Sequence, residues 1–353
     1  MMCVFASGRP GLLHGAVLLL LLLLVPFQCP AQTDTEYARG VAAFRSGDYA
    51  AAADLFAQAE IAAPGSTEAL IYQAKSLVHL QKFSAAESAL RRHVVLRPDS
   101  QEALYLLGFV LHRENKPKDS LEIYTKAAAL KPPTGDDLKI VGLNYVLLND
   151  YPDAIKWLEK AVKLEPSNKD AWYYLGRAYY SRSLLAESRE AFQAVLRLEP
   201  RNAKAESNLG LILESEAKPD EALDAYRKAI EWQAESSQQS EQPYLNLGSL
   251  LLELDRAGEA VPFLEKAVVL GPNNADCHLK LGVAYLRVNL PPAAQRELER
   301  AAELEPENAA IHYQLARLYK QTKQTDKARI EFQRTDELQS RAAGSRPPGP
   351  PEQ

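Results

Sequence analysis

The chain has 353 residues, with 41 Lys and Arg against 46 Asp and Glu for a net charge of −5, and 46% hydrophobic residues. Mild acidity offers no basic footprint of the kind that nucleic-acid binding requires, so nucleic acid is excluded as the expected partner. Glycine is scarce, while Ala, Leu, Glu and Lys are abundant, which is the composition of a helical chain.

Residues 1–31 come first. Arg9 precedes an apolar run from Gly15 to Val25 that contains seven consecutive leucines, followed by Pro26 and a small-residue exit at Cys29-Pro30-Ala31. This is the layout of a secretory signal peptide, with cleavage after Ala31 leaving Gln32 as the first residue. The run is shorter than the roughly 20 apolar residues that span a bilayer. An uncleaved anchor and lipidation at Cys29 are the alternatives, and membrane contact is expected only through a leader that is retained. Beyond it only Cys277 remains, so no internal disulfide is expected. None of the eleven asparagines opens an N-glycosylation sequon, which points to a bacterial envelope, periplasmic or secreted, over a eukaryotic secretory route.

From Thr33 onward the chain repeats. Proline recurs every 34 residues at Pro64, Pro98, Pro132, Pro166 and Pro200, and again at Pro272 and Pro306 after a shift of four residues. In phase with it runs a small-residue column: Gly40, Ala74, Gly108, Gly142, Gly176, Gly210, Gly248, Gly282 and Ala316. Twelve residues later stands a second small column, from Ala52 and Ala86 to Ala294 and Ala328. Four further on comes a large one: Phe56, Leu90, Tyr124, Leu158, Phe192, Tyr226, Leu264, Leu298 and Phe332. Small residues let two helices approach while the large residue fills the space beside them, so each unit reads as a helical hairpin. Proline ends its second helix. The turn within the hairpin falls at Gly47, Asn115, Asn149, Asp255 and Asn289 in five units, residue types that tolerate the left-handed conformation of a helix exit.

The period and columns resemble the tetratricopeptide repeat family, most closely at Ala171 to Tyr180, AWYYLGRAYY. There Trp172, Leu175, Gly176 and Tyr179 fill the family's first-helix positions, and Phe192 and Pro200 those of the second helix. The resemblance covers about residues 33–342. It implies an all-α fold, an α-solenoid wound as a right-handed superhelix of about nine hairpins, and protein binding rather than a particular chemistry.

The units divide as residues 33–234, six repeats, and residues 241–342, three repeats, around a polar insertion at 235–240. The insertion reads either as a longer second helix or loop bulging from one edge, or as a hinge or partner-docking protrusion between two blocks. Residues 343–353, rich in Pro and Gly, read as a disordered tail.

In the resembling family the concave face is lined by first-helix positions 2, 5, 6, 9, 12 and 13 of each unit. Here that stripe is aromatic at first, with Tyr37, Phe44, Tyr72, Tyr105, Phe109, Tyr173, Tyr174 and Tyr180 around Arg177. It then turns polar and basic through Asn208, Asn246, Lys280, Arg287, Gln314, Arg317 and Lys320. Tyr and Arg are favoured binding residues because they bury large area at low entropic cost. The alternative for each tyrosine is packing against the neighbouring repeat. The family's carboxylate clamp is absent, since Lys139 is followed by Leu143 where the clamp needs Asn, and an asparagine ladder is limited to Asn208 and Asn246.

No catalytic segment is expected, because nothing outside the repeats is long enough to hold one. No cofactor or metal is expected either: His278 and His312 occupy the family's aromatic packing position and read as core residues. The expected function is a non-enzymatic scaffold or adaptor outside the cytoplasm that binds a protein or an extended peptide in the groove. The alternative is an accessory subunit of a cell-envelope assembly, secretion or polysaccharide-export complex.

Overall fold

A small residue in the first helix, glycine in seven hairpins and Ala74 or Ala316 in the other two, and a large side chain in the second set the distance between the two helices of each hairpin. A Cβ placed on Gly176 would stand 2.9 Å from Cζ of Phe192, and one on Gly142 would stand 2.7 Å from Cγ of Leu158. The same collision recurs between Gly108 and Tyr124, Gly248 and Leu264, and Gly282 and Leu298. The second small column backs onto the same contact. Ser120 Oγ donates to the Gly108 carbonyl at 2.7 Å, and Ser188 Oγ to the Gly176 carbonyl at 2.8 Å.

The computed structural model describes residues 30–236 and 238–344, so the expected signal peptide up to residue 29 and the tail from residue 345 lie outside the described residues. It forms, among the described residues, eighteen α-helices and no strand, an all-α repeat solenoid. Two units are compact in themselves. The first, of the described residues up to 103, holds α1 (Pro30–Ser46), α2 (Tyr49–Ala62), α3 (Thr67–His79) and α4 (Phe83–Leu96). The second, residues 104–353, takes most of α5 (Gln101–Arg113) and then α6 (Pro117–Leu130), α7 (Gly135–Leu147), α8 (Tyr151–Leu164), α9 (Lys169–Ser181) and α10 (Leu185–Leu198). It continues with α11 (Ala203–Ser215), α12 (Pro219–Ala234), α13 (Gln242–Glu253), α14 (Ala257–Leu270), α15 (Ala275–Arg287), α16 (Pro291–Leu304), α17 (Ala309–Gln321) and α18 (Thr325–Gly344). None of the described helices is long and apolar enough to cross a membrane.

Helix starts and exits are set by local chemistry. Each first helix leaves through a residue with positive φ, at Asn115, Asn149, Asp255, Asn289 and Gly47, but also at Gln81, Ser183, Ala217 and Lys323. The exit is a Schellman turn: the Asn115 amide donates to the His112 carbonyl at 3.0 Å and the Lys116 amide to the Leu111 carbonyl at 2.9 Å. Sequence alone shows the turn at five units because the other four carry side chains with no preference for it. Two residues after the proline, Asn168, Asn202, Asn274 and Asn308 each cap the following helix by accepting a backbone amide. Ring donors tie the helix back to that turn. Trp172 Nε1, His278 Nε2 and His312 Nε2 each donate to the carbonyl of the proline six residues earlier, at 2.9, 3.1 and 2.9 Å. The other nitrogens of His278 and His312 meet Glu297 and Glu331, so each histidine is engaged within its own repeat.

The insertion lengthens α12 to Ala234 and then forms an irregular crossing to α13. One core continues past it: Leu213, Leu223 and Tyr226 pack with Leu247, Leu251, Leu264 and Leu281. Both sides belong to one compact unit. Cys277 is buried in this core, and burial pushes its thiol up to about 12.

Two stability outcomes follow from these contacts. Gly176→Leu is expected to lose about 1–3 kcal/mol through overpacking against Phe192, read as a lower urea midpoint; an unchanged midpoint would place Phe192 away from Gly176. Ala217→Asn is expected to gain about 0.5–1 kcal/mol, because Asn tolerates the left-handed backbone that alanine resists. A lower Tm for this variant would mean that the turn does not hold a left-handed residue.

Candidate functional site

The first-helix face of repeats five to seven holds a cavity of about 910 Å³, lined by α9, α11, the end of α12, the insertion and the start of α13. Positions 2, 5, 6 and 9 of successive first helices lie on one face because they share one helical stripe. Tyr173 stands in its wall with its ring edge-on to Phe192 at 5.8 Å and to Tyr174 at 5.5 Å. Asn208 donates from Nδ2 to the Tyr173 hydroxyl at 3.5 Å and to the Lys204 carbonyl at 2.7 Å.

The cavity's charges fall into two groups. Lys169 pairs with Glu199 at 2.6 Å, and this bond, with Asn202 adding to it, holds the Glu199 carboxyl below its ordinary range. Arg201 pairs with Glu235 at 3.4 Å. Arg177 and Lys204 are exposed and, among the described residues, join no ion pair. Of the lining acids, Asp170 is the one outside those two pairs.

The predicted groove residues separate into several places. Tyr173, Arg177, Asn208 and Asn246 meet at this cavity. Asn246, however, is buried and engaged at both ends of its amide. Its Nδ2 donates to Ser207 Oγ at 3.1 Å and its Oδ1 accepts from Gln242 Nε2 at 2.7 Å, so it braces α11 against α13. Tyr105 and Phe109 line a separate hollow of about 330 Å³ beside Tyr124 and Lys139. Tyr105 is anchored there, its hydroxyl donating to the Lys131 carbonyl at 2.7 Å and its ring 5.8 Å from that of Tyr124. Lys280 lines a third hollow, of about 240 Å³, with Arg287 and Gln314. Arg317 is exposed and donates to Gln314 at 3.3 Å. In the first unit Tyr37 and Tyr72 pack edge-on to each other at 6.3 Å and both contact Phe56, which makes them part of an aromatic cluster.

Sequence reasoning missed Lys204 and Trp232, and it read the insertion as a bulge, a hinge or a docking protrusion without placing Ser236, Gln238 and Ser240 in the wall of the main cavity. One signal was present. Trp232 stands where Leu96, Leu130, Leu164 and Leu198 end the second helices of other repeats, directly before the break in period.

At the far end of α11, Glu214 accepts the Tyr226 hydroxyl. Burial raises its carboxyl above the ordinary range, the Tyr226 bond opposes that, and Glu253 adds to it. A carboxyl raised by folding favours the protonated form in the folded chain. Its stabilising contribution is complete below the unfolded value and is lost as pH rises through the raised one. Glu214→Gln should therefore melt later than wild type at neutral pH, with the gap closing in acid below the usual carboxylate range, as read by circular dichroism melts. A variant that melts earlier at neutral pH would show that the ionised carboxylate stabilises the fold.

Sequence profiles of the tetratricopeptide repeat match residues 36–67, 73–133, 142–197 and 184–240, and further ones match residues 241–274 and 289–342. The chain belongs to the tetratricopeptide repeat family. No curated protein sequence matches it. Among solved structures it is similar to a tetratricopeptide repeat protein from Parabacteroides merdae, with a TM-score of 0.60 at 18% identity over 72% of this chain and 98% of that one. The C-terminal part of a repeat-containing protein from Cytophaga hutchinsonii gives a TM-score of 0.54 at 18% identity over 69% and 99%. A crystal structure of the APC/C hetero-tetramer Cut9–Hcn1 gives 0.58 at 16% identity, over 76% of this chain but only 52% of that chain. At these identities the likeness is one of tetratricopeptide fold.

Proposed function

We propose that this tetratricopeptide repeat protein is a non-enzymatic scaffold that acts outside the cytoplasm and binds a protein or an extended peptide segment on its first-helix face. The observation that carries this is the 910 Å³ cavity on α9, α11 and α13, where half-buried aromatics stand beside two cations, Arg177 and Lys204, that join no ion pair among the described residues. Tyr173 and Tyr174 offer area, and Arg177 offers a charge-assisted donor, which is the combination that dominates protein-binding surfaces. Export rests on the leader, with its apolar run from Gly15 to Val25 and its exit at Ala31.

The test is affinity capture from the envelope fraction with the full chain as the cell processes it, comparing wild type with the Tyr173→Ala, Arg177→Ala double variant. A partner identified by mass spectrometry that is lost in the double variant, with the Tm of the variant within a few degrees of wild type, is the expected outcome. Partners retained by both forms would move binding away from this face. N-terminal sequencing of the same material is expected to begin at Gln32; an intact leader on cytoplasmic protein would remove the proposed location.

A further inference from the structure

The insertion between α12 and α13 is held in place by its own side chains. Gln233, buried at the end of α12, donates from Nε2 to the Ser240 carbonyl at 2.9 Å and accepts the Ser240 amide on Oε1 at 3.0 Å. A single carboxamide thus reads both backbone groups of one residue. Gln239 donates to the Ala234 carbonyl at 3.1 Å, and the Gln238 amide donates to Ser236 Oγ at 3.1 Å. Fixed in this way, Ser236, Gln238, Ser240 and Gln242 turn towards the cavity and close one side of it. At the preceding junction, α10 passes to α11 through Glu199 to Asn202 alone, with no residues to spare for a wall.

This wall is neutral, and the face opposite is not. Four cations, Lys169, Arg177, Arg201 and Lys204, stand against Asp170, Glu199 and the Glu235 that pairs with Arg201, so the cavity is on balance cationic in a chain of net charge −5. A concave site with an excess of one sign concentrates ligands of the other. Beside the hydroxyls of Ser207, Ser236 and Ser240, its neutral polar groups include several carboxamides. That of Gln238 makes no hydrogen bond among the described residues, and Asn208 is bonded only through Nδ2. The Gln233 to Ser240 pair shows what such a group does here, which is to hold both backbone groups of one residue.

We propose that this cavity binds an acidic peptide segment in extended form, with carboxylates met by Arg177 and Lys204 and backbone met by Gln238 and Asn208, and that the insertion is the wall that creates the site. This rests on the scaffold reading above and gives it a ligand chemistry. Charge complementarity sets the occupant: an extended chain supplies a side chain every second residue on one face, which lets carboxylates reach the cations while amides reach the wall.

The probe is a degenerate library of N-acetylated, C-amidated octapeptides, whose blocked ends remove terminal charge. It is panned on the full purified chain, and selected peptides are then titrated by fluorescence anisotropy at low and high salt. Selection is expected to enrich Asp and Glu, with affinity falling as salt rises. Arg177→Glu with Lys204→Glu is expected to weaken binding about tenfold or more. Removal of residues 236–239, which restores the 34-residue spacing, is expected to abolish it at unchanged helix content. Should that deletion misfold, Gln238→Ala tests the wall at an exposed side chain and is expected to weaken binding. The proposal is overturned if no peptide is selected, if the selected peptides carry no acidic excess, if the charge reversal leaves affinity intact, or if binding survives loss of the wall. An anionic glycan that binds where acidic peptides do not would also overturn it. In each of these cases a cellular partner still captured through Tyr173 leaves the scaffold reading standing, whereas failure of capture alone removes that reading.

Discussion

The distance between the two helices of a hairpin is fixed by one contact, a glycine or alanine in the first helix lying under a large residue of the second. At Gly176 there is no room for even a Cβ against the Phe192 ring, and at Gly142 none against Leu158. Because the interior is packed to near-crystalline density, that separation cannot drift. Every other feature inherits it. The left-handed residue at the exit, from Asn115 to Asn289, returns the chain at the right angle, and the proline with its asparagine cap starts the next first helix after a constant 34 residues. Only a constant period brings residues such as Arg177 and Lys204, from different repeats, onto one face.

The insertion shows what happens when that period is broken. The junction before α13 loses the proline, and Glu241 at the helix start makes no side-chain cap. The Gln233 carboxamide substitutes for both by fastening Ser240, and the apolar core runs on beneath it from Tyr226 to Leu247. Four additional residues would be expected to loosen a stack whose repeats touch only their neighbours. Here the cost is contained at the edge, which frees the added residues to form a wall.

The columns were legible in the sequence because they are columns of size, and size is visible in a one-dimensional pattern. The turn was legible at Asn149 and Asp255 but not at Ala217 or Lys323, where the neighbouring helices impose a conformation that the side chain does not favour. The groove was harder still. Asn246 sits at a groove position yet spends its amide on Ser207, 39 residues earlier, and Tyr105 spends its hydroxyl on a carbonyl 26 residues later. Helical periodicity gives the direction in which a side chain leaves its own helix, and it is silent about what the next repeat places there. The fold was therefore readable almost to the helix ends, whereas the site was readable only as a stripe.

Within the stripe, the residues differ in what they contribute to stability. Tyr173 and Tyr105 are half-buried and touch neighbouring aromatics, so packing accounts for part of what they do. Arg177 and Lys204 are different: they are exposed, bury little, and lack the ion pairs that Lys169 and Arg201 make on the same face. An unpaired surface cation adds almost nothing to folding, and placing two of them in one recess concentrates a field that the folded chain does not itself use. An acidic chain has carboxylates in excess with which to neutralise them, as it does at Lys169 through Glu199. The charge left over at Arg177 and Lys204 is thus the part of this surface for which packing offers no account and recognition does.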